Sequence, residues 1–209
     1  RQIPWQTVND AYRELEAEGA LTVRVREQAN LTTLPELLDF IHTDHPATPR
    51  FSMGPLKLLG DGALGARTAF LSRPYADEPG TRGLSVFTGA QFDELIGTAH
   101  AHGMQVAVHC IGDACLDMVL DSIEKTLAEH PREDHRHGIV HCQITRPDQL
   151  DRIARNPDRG LAIAPGQTVE DLFREREALY RRYAGLTIST AGIGAAESAR
   201  RVLEALASL

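Results

Sequence analysis

Two histidines stand at the carboxyl ends of apolar segments that have the composition of buried strands. His109 closes the predicted strand 104–109, and His141 lies at the end of the predicted strand 138–142. Their separation fits one strand–helix–strand repeat of roughly 30 residues, so the imidazoles are expected to be neighbours at one edge of a parallel sheet. Neutral imidazole is a common zinc ligand, and the two side chains could share one metal. The alternative is a hydrogen-bonded histidine pair without a metal.

A lysine interrupts a third apolar segment, the predicted strand 55–59. Lysine is almost never fully buried without a partner, and the leucines beside Lys57 provide no carboxylate. Its side chain could extend along the apolar surface until the amine reaches water. Alternatively, burial could lower the pKa of the amine enough for reaction with carbon dioxide, which would give a carbamate anion able to bridge two cations. A neutral amine could instead form a Schiff base with a carbonyl substrate, as in an aldolase-like barrel.

Three further charged residues lie close to these strand ends in the sequence. Asp61 and Asp113 each follow a predicted strand by a few positions, where a carboxylate could contact substrate or support a metal ligand. Asp113 also has the position of a helix N-cap, which requires no other function. Arg67 lies in a Gly-rich segment and could bind a substrate anion or carbonyl, or could be a solvated loop charge.

The other histidines and the cysteines are not expected to do chemistry. His135 and His137 are interpreted as part of a hydrated turn. Five more histidines are placed on exposed faces or helix ends: His42, His45, His100, His102 and His130. The three cysteines are odd in number and are interpreted as small packing residues in a reducing compartment such as the cytoplasm: Cys110, Cys115 and Cys142.

Composition restricts the classes of function. The chain has 209 residues, 42% hydrophobic and 24% charged, with a net charge of -7. Nucleic acids and anionic membranes require a basic face, so neither is an expected partner. No apolar segment approaches the ~18 residues of a membrane span. The sequence contains no dinucleotide-binding glycine motif, Walker loop or nucleophile-elbow serine.

Helical and strand patterns alternate along the chain. Strands are predicted at 21–26, 55–59, 104–109 and 138–142, with two more at 161–164 and 185–189. Helices are predicted at 4–18, from 33 to before 46, at 88–101, from 113 to before 131, from 145, at 168–184 and at 195–208. This order predicts an α/β fold with parallel strands and about five βα units, and a site at the carboxyl ends of the strands. The long connection 60–87 is expected to serve that site.

Three motifs in this order resemble amidohydrolase family 3 of the metal-dependent amidohydrolase superfamily, which includes N-substituted formamide deformylase-like proteins. They are KLLGDGALGARTA at 57–69, HCIGD at 109–113 and HGIVHCQ at 137–143. The resemblance extends over about residues 5–155, whereas 156–209 is divergent. It implies a (β/α)8 barrel that binds one or two divalent metals, usually zinc, and hydrolyses non-peptide C–N bonds of small amides.

The resemblance also implies residue roles. Lys57 would be the bridging carbamate and a metal ligand together with His109 and His141. With Asp113 these residues are assigned to catalysis, and Asp61 and Arg67 to substrate binding.

Parts of the family pattern are missing. No His-x-His motif precedes Lys57, because the only such spacing, His100-Ala101-His102, falls on a predicted helix. No eighth-strand aspartate follows His141, and Ala164-Pro165-Gly166-Gln167 replaces the Gln-Pro of the seventh strand. A complete barrel needs ~250 residues. We therefore expect residues 1–209 to form a single domain, the central part of a barrel, which would bind metal weakly and turn over little.

The alternative class is a non-catalytic α/β remnant or interaction domain. In either class, an incomplete barrel would leave sheet edges open, and self-association through them is expected.

Overall fold

The computed structural model describes residues 3–154 continuously and, beyond them, 171, 174–175, 177–178, 181–182, 184, 187–189 and 194–207. The chain divides into two compact units, Arg1–Leu161 and Ala162–Leu209. All of the candidate site residues belong to the first unit. The single-domain interpretation of residues 1–209 stays a prediction.

Four parallel strands form the sheet of the first unit. They are β1 (Val25–Asn30), β2 (Phe51–Leu59), β3 (Val106–Cys110) and β4 (Gly138–His141), in the order β1-β2-β3-β4. Five helices accompany them: α1 (Trp5–Ala17), α2 (Leu34–His42), α3 (Gly89–Ala101), α4 (Asp113–Glu129) and α5 (Pro147–Ala154). The predicted α/β class with parallel strands is confirmed. Strands that pair in chain order without reversal are what a barrel segment requires, whereas a doubly wound sheet reverses its order.

Local sequence signals explain where two of the helices begin. The Thr33 hydroxyl accepts the Glu36 backbone N–H while the Glu36 carboxylate accepts that of Thr33, which is a complete capping box at the start of α2. Thr88 and Gln91 form the same arrangement at the start of α3. Both positions agree with the helix starts predicted at residues 33 and 88.

The core lies between the sheet and helices α3 and α4. Leu56 and Leu58 of β2 pair in register with Val106 and Val108 of β3, and all four side chains are fully buried. They belong to one apolar cluster with the inner faces of the helices, which include Phe92, Ile96, Leu116 and Val119. Burying a side chain of this size contributes about 1.5–3 kcal/mol. The alternate residues of β2 and β3 therefore lie on the opposite face of the sheet, away from this core.

The three cysteines lie close to this core, and none of them forms a disulfide bond. Cys110 and Cys115 are buried, and Cys142 is partly buried against the cluster. Their placement agrees with the packing role predicted for them.

The first strand begins later than predicted. The sequence interpretation placed it at 21–26, but the backbone N–H of Leu21 bonds the Leu15 carbonyl and so belongs to the end of α1. Pairing starts at Val25, whose N–H donates to the Arg50 carbonyl. The strand was therefore predicted in the right segment, but the first residue of the prediction is hydrogen-bonded to the end of α1.

The carboxyl-terminal predictions are only partly covered by the described residues. The predicted strand 161–164 lies outside the described residues. The four observed strands correspond to the first four predicted strands, which belong to the predicted total of about five βα units. Of the predicted strand 185–189, residues 187–189 are irregular. The described residues from 171 to 182 are helical, and a sixth helix, α6, spans Ala195–Ala207. No helix in the described part of the chain is long and apolar enough to cross a membrane.

Candidate active site

His109 ends β3 with one ring nitrogen held by a backbone carbonyl. Its Nε2 lies 3.0 Å from the Gly62 carbonyl oxygen, and its side chain is only 16% exposed. A carbonyl oxygen can only accept, so Nε2 carries the hydrogen, which in the neutral imidazole leaves the lone pair on Nδ1. Metal-binding histidines almost always donate their other ring N–H to such an acceptor. The local geometry therefore fits a metal ligand that binds through Nδ1.

His141 reaches His109 through an unusual backbone conformation. In the register of the sheet, His141 pairs with Cys110 and not with His109, so an ordinary strand would direct it to the opposite face. Instead, His141 has a φ of 72° and Cys142 a φ of 46°. Left-handed conformations of non-glycine residues cost roughly 1–3 kcal/mol each and concentrate at functional sites. The two rings meet edge to face with centroids 4.7 Å apart.

Lys57 lies on the same sheet face as His109. It pairs in register with Ala107, two residues before His109 on the neighbouring strand. Strand spacing and rise place the two Cα atoms about 8 Å apart, a distance that a lysine side chain can span. Burial lowers the pKa of Lys57 below its ordinary value. This direction favours the neutral amine that carboxylation requires, and the carbamate itself stays a prediction.

Asp61 is buried among backbone N–H groups. One carboxylate oxygen accepts from Ile111 at 3.0 Å, and the other accepts from Gly112 at 2.7 Å and from Phe70 at 2.9 Å. Its side chain is 0% exposed and lies 3.6 Å from His109 Nε2. Since both oxygens are engaged, this geometry favours a supporting role, and direct substrate binding by Asp61 stays a prediction.

Asp113 connects three segments at the start of α4. Its carboxylate accepts the backbone N–H of Ser72 at 2.8 Å and binds the Arg146 guanidinium at 3.0 Å. Burial alone would raise the pKa of Asp113, but hydrogen bonds from Ser72 and Arg146 together hold that pKa below its ordinary value. The N-cap interpretation is wrong, because Gly112 is the N-cap and Asp113 is the first helical residue. The Asp113 side chain instead bonds to the loop and to Arg146. Its catalytic role stays a prediction.

Arg67 is engaged by carboxylates of its own loop. Its guanidinium lies 2.7 Å from Asp77 and 3.1 Å from Glu78. A substrate anion would have to displace one of these partners. The substrate-binding role of Arg67 therefore also stays a prediction.

The connection 60–87 packs closely against the end of β3. A Cβ atom on Gly112 would lie 2.0 Å from the Phe70 carbonyl oxygen, so only glycine allows the two backbones to approach this closely. The Tyr75 hydroxyl donates to the Ala69 carbonyl at 2.9 Å. The loop thus forms an ordered wall beside the strand ends.

Sequence reasoning missed the residues that tie α5 to this region. Arg146 binds Asp117 at 2.8 Å as well as Asp113, and the buried Gln149 amide donates to the Asp113 carbonyl at 2.7 Å. Their signal was weak, because an arginine and a glutamine at a helix start usually face solvent.

Three histidines predicted to be hydrated or exposed are in fact buried. His100, His135 and His137 are 4%, 5% and 5% exposed. The hydrated turn predicted for His135 and His137 and the exposed position predicted for His100 are therefore both wrong. His137 Nδ1 accepts the Val106 backbone N–H at 3.1 Å, and His137 Nε2 lies 2.8 Å from His100 Nδ1. Because Val106 is the first residue of β3, this cluster lies at the amino ends of the strands, away from His109. The position of His100 four residues after Ile96, on the inner stripe of α3, was a signal for its burial.

The histidine pair does not by itself complete a metal site. Within the described ranges, no group of three or more His, Cys, Asp or Glu side chains is arranged to hold a metal ion. Lys57, on the neighbouring strand β2, is the third ligand predicted from the sequence, and its carboxylation stays a prediction. The donor set of two imidazoles and a carbamate suits zinc and related divalent ions.

Comparison with known proteins identifies the family. A model of the amidohydrolase family matches residues 8–182, which extends beyond the predicted resemblance over 5–155. YtcJ of Bacillus subtilis, whose name assigns it to the amidohydrolases, is 42% identical over 110 residues, covering 52% of this chain and 20% of YtcJ. The Arabidopsis thaliana protein LONG AFTER FAR-RED 3 is 28% identical over 155 residues, covering 74% of this chain and 27% of that protein.

Two solved structures share the fold. Uncharacterized metal-dependent hydrolases from Pyrococcus furiosus and Pyrococcus horikoshii superimpose with TM-scores of 0.60 and 0.60, at 36% and 34% sequence identity. Each match covers 70% of this chain, and 30% and 29% of the respective hydrolase. The chain thus spans less than a third of the length of each of these four proteins. By the extent of the family match, the chain belongs to the amidohydrolase family.

Proposed function

We propose that this chain contributes the Lys57, His109 and His141 ligands of a divalent metal centre in a hydrolase that cleaves non-peptide C–N bonds of small amides. The observation that supports the proposal most strongly is the contact between the His109 and His141 rings. The Nε2–H of His109 is held by Gly62, which leaves Nδ1 as the ligand atom. Membership of the amidohydrolase family and the similarity to metal-dependent hydrolases from two Pyrococcus species support metal-dependent hydrolysis.

Each part of the chain has a defined task in this proposal. A bound divalent cation, zinc in our proposal, would polarise the amide carbonyl and lower the pKa of a water molecule. The Gly62 carbonyl holds the His109 ring in place through Nε2. The loop 60–87 packs against the turn after β3 on one side of the strand ends, and Arg67 and Asp113 stay candidates for substrate contact and proton transfer.

Zinc retention by the purified chain tests the proposal. His109→Ala and His141→Ala should each weaken zinc binding by at least about tenfold, because each removes a ligand. His102→Ala is the matched control, since His102 is exposed at the end of α3 and its Nδ1 bonds only the Thr98 carbonyl. Equal zinc affinity in all four proteins would refute the metal centre. A panel of small amides, assayed with and without zinc, tests the C–N specificity.

A second candidate is a non-catalytic α/β interaction module. It is favoured by the observation that the described residues contain no three-membered group of the usual metal-binding side chains. Such a module would bind no zinc, whereas self-association through the edge strands β1 and β4 is expected of both candidates. Zinc analysis of the purified chain therefore separates them, because a folded chain that binds no zinc supports only the second.

The proposal also includes the cellular compartment in which the protein works. None of Cys110, Cys115 and Cys142 forms a disulfide bond, which supports a reducing compartment such as the cytoplasm.

A further inference from the structure

The Asp61 carboxylate is the point at which the loop after β2 and the turn after β3 are joined. Its three backbone donors come from Ile111, Gly112 and Phe70, at 2.7–3.0 Å. An uncompensated carboxylate would be expensive to bury, and these three bonds compensate it. The residue thus fixes two chain segments that approach His109 from different directions.

The same carboxylate acts on the His109 imidazole at close range. Oδ1 of Asp61 lies 3.6 Å from His109 Nε2, and the neighbouring residue Gly62 supplies the carbonyl that accepts the Nε2–H. A negative charge at this distance favours the tautomer that places hydrogen on Nε2. The Ile111-Gly112 turn begins two residues after His109, so its attachment to Asp61 also restricts the end of β3.

We infer that Asp61 is a positioning residue that fixes the orientation and the Nε2–H tautomer of His109, and is not a substrate ligand. This inference rests on the proposed function in one respect, namely that His109 binds the metal through Nδ1. Partners that orient a metal-binding histidine typically change metal affinity by 10–100-fold when they are mutated.

Asp61→Asn is the informative variant. It keeps the size of the side chain but places an NH2 group against backbone N–H donors and removes the negative charge beside Nε2. Asp93→Asn is the matched control, because Asp93 forms an exposed ion pair with Lys125 at 2.7 Å, and neither residue contacts the site.

Two measurements on the full chain separate positioning from a merely structural role. Nitrogen-15 NMR of the metal-free protein should show His109 as the Nε2–H tautomer in the wild type and in Asp93→Asn, and a mixture of tautomers in Asp61→Asn. Zinc affinity, measured by competition with a chelator, should fall about 10–100-fold in Asp61→Asn and stay unchanged in Asp93→Asn.

The inference would be overturned by an Asp61→Asn protein that is folded, keeps the wild-type tautomer and binds zinc as tightly as the wild type. If that variant does not fold, the wild type alone still decides, because a predominant Nδ1–H tautomer of its His109 would equally overturn the inference. Failure of the wild type to bind zinc would count against the proposed metal centre only, since the tautomer measurement requires no metal.

Discussion

At the scale of single residues, the site combines two histidines, a half-buried lysine and two buried carboxylates that bind mainly backbone. His109 and His141 are the predicted pair, and their rings meet at 4.7 Å. The oxygens of Asp61 accept backbone N–H groups of the loop and of the turn after β3, and those of Asp113 bind Ser72 and Arg146. The predicted roles of Asp61 in substrate binding and of Asp113 in catalysis stay predictions.

Carboxylation of Lys57 predicts that zinc binding depends on bicarbonate. Burial lowers the pKa of this amine, so a larger fraction is neutral and able to react. Lys57→Gln should lose a carbamate signal in carbon-13 NMR with labelled bicarbonate and should bind zinc more weakly, by at least about tenfold. Lys125→Gln is the control, because Lys125 is exposed and paired with Asp93. Bicarbonate-independent zinc binding, unchanged in Lys57→Gln, would contradict the carbamate.

Two glycines with different surroundings test the close contact between the loop and the turn. Gly112→Ala places a Cβ 2.0 Å from the Phe70 carbonyl oxygen and should reduce the free energy of unfolding by about 1–3 kcal/mol, as overpacking does. Gly97→Ala, within α3, places a Cβ at an ordinary contact distance of 3.8 Å from Thr126 Oγ1 and should stabilise the protein by about 0.5–1 kcal/mol. Urea unfolding measures both. Equal effects of the two substitutions on the free energy of unfolding would show that the backbone at Phe70 can move away at little energetic cost.

At the scale of elements, Arg146 holds the start of α4 to the segment that leads into α5. Arg146→Ala would leave the buried Asp113 carboxylate without its cationic partner, so a loss of about 1–3 kcal/mol in unfolding free energy is expected. Lys125→Ala removes an exposed ion pair between α3 and α4 and should cost no more than about 1 kcal/mol. If the two variants unfold at the same urea concentration, the link through Arg146 contributes no more than a surface pair.

The buried histidine cluster predicts that stability falls in mild acid. Burial, with smaller electrostatic contributions from the neighbouring His135, His100 and Arg132 side chains, lowers the pKa of His137 from 6.5 to about 3. The unfolded chain therefore binds a proton that the folded chain excludes. The unfolding free energy should decrease as the pH falls from about 6.5 toward 3, and stay constant above 6.5 as far as this group is concerned.

Urea titrations across this pH window measure the effect. His137→Gln should unfold with a shallower pH dependence than the wild type, although it is less stable at neutral pH. His102→Gln, at the exposed end of α3, should keep the wild-type slope. A wild-type stability that is flat through this window would mean that His137 is protonated in the folded protein.

At the scale of the whole molecule, the sequence predicted what depends on periodicity and strand ends. Apolar segments identified β2, β3 and β4, and the spacing of His109 and His141 predicted that they meet. Contacts made across the fold could not be predicted. The left-handed conformation of His141, the three N–H bonds to Asp61 and the burial of His137 each depend on partners distant in the chain.

The central claim is that His109 and His141 bind the same metal ion. Crystals of the full chain soaked in zinc and measured at the zinc absorption edge would locate the ion directly. We predict an anomalous peak about 2.0–2.1 Å from His109 Nδ1 and from a ring nitrogen of His141. Zinc bound only elsewhere, or a His109 ring that keeps Nδ1 away from the ion, would contradict the account.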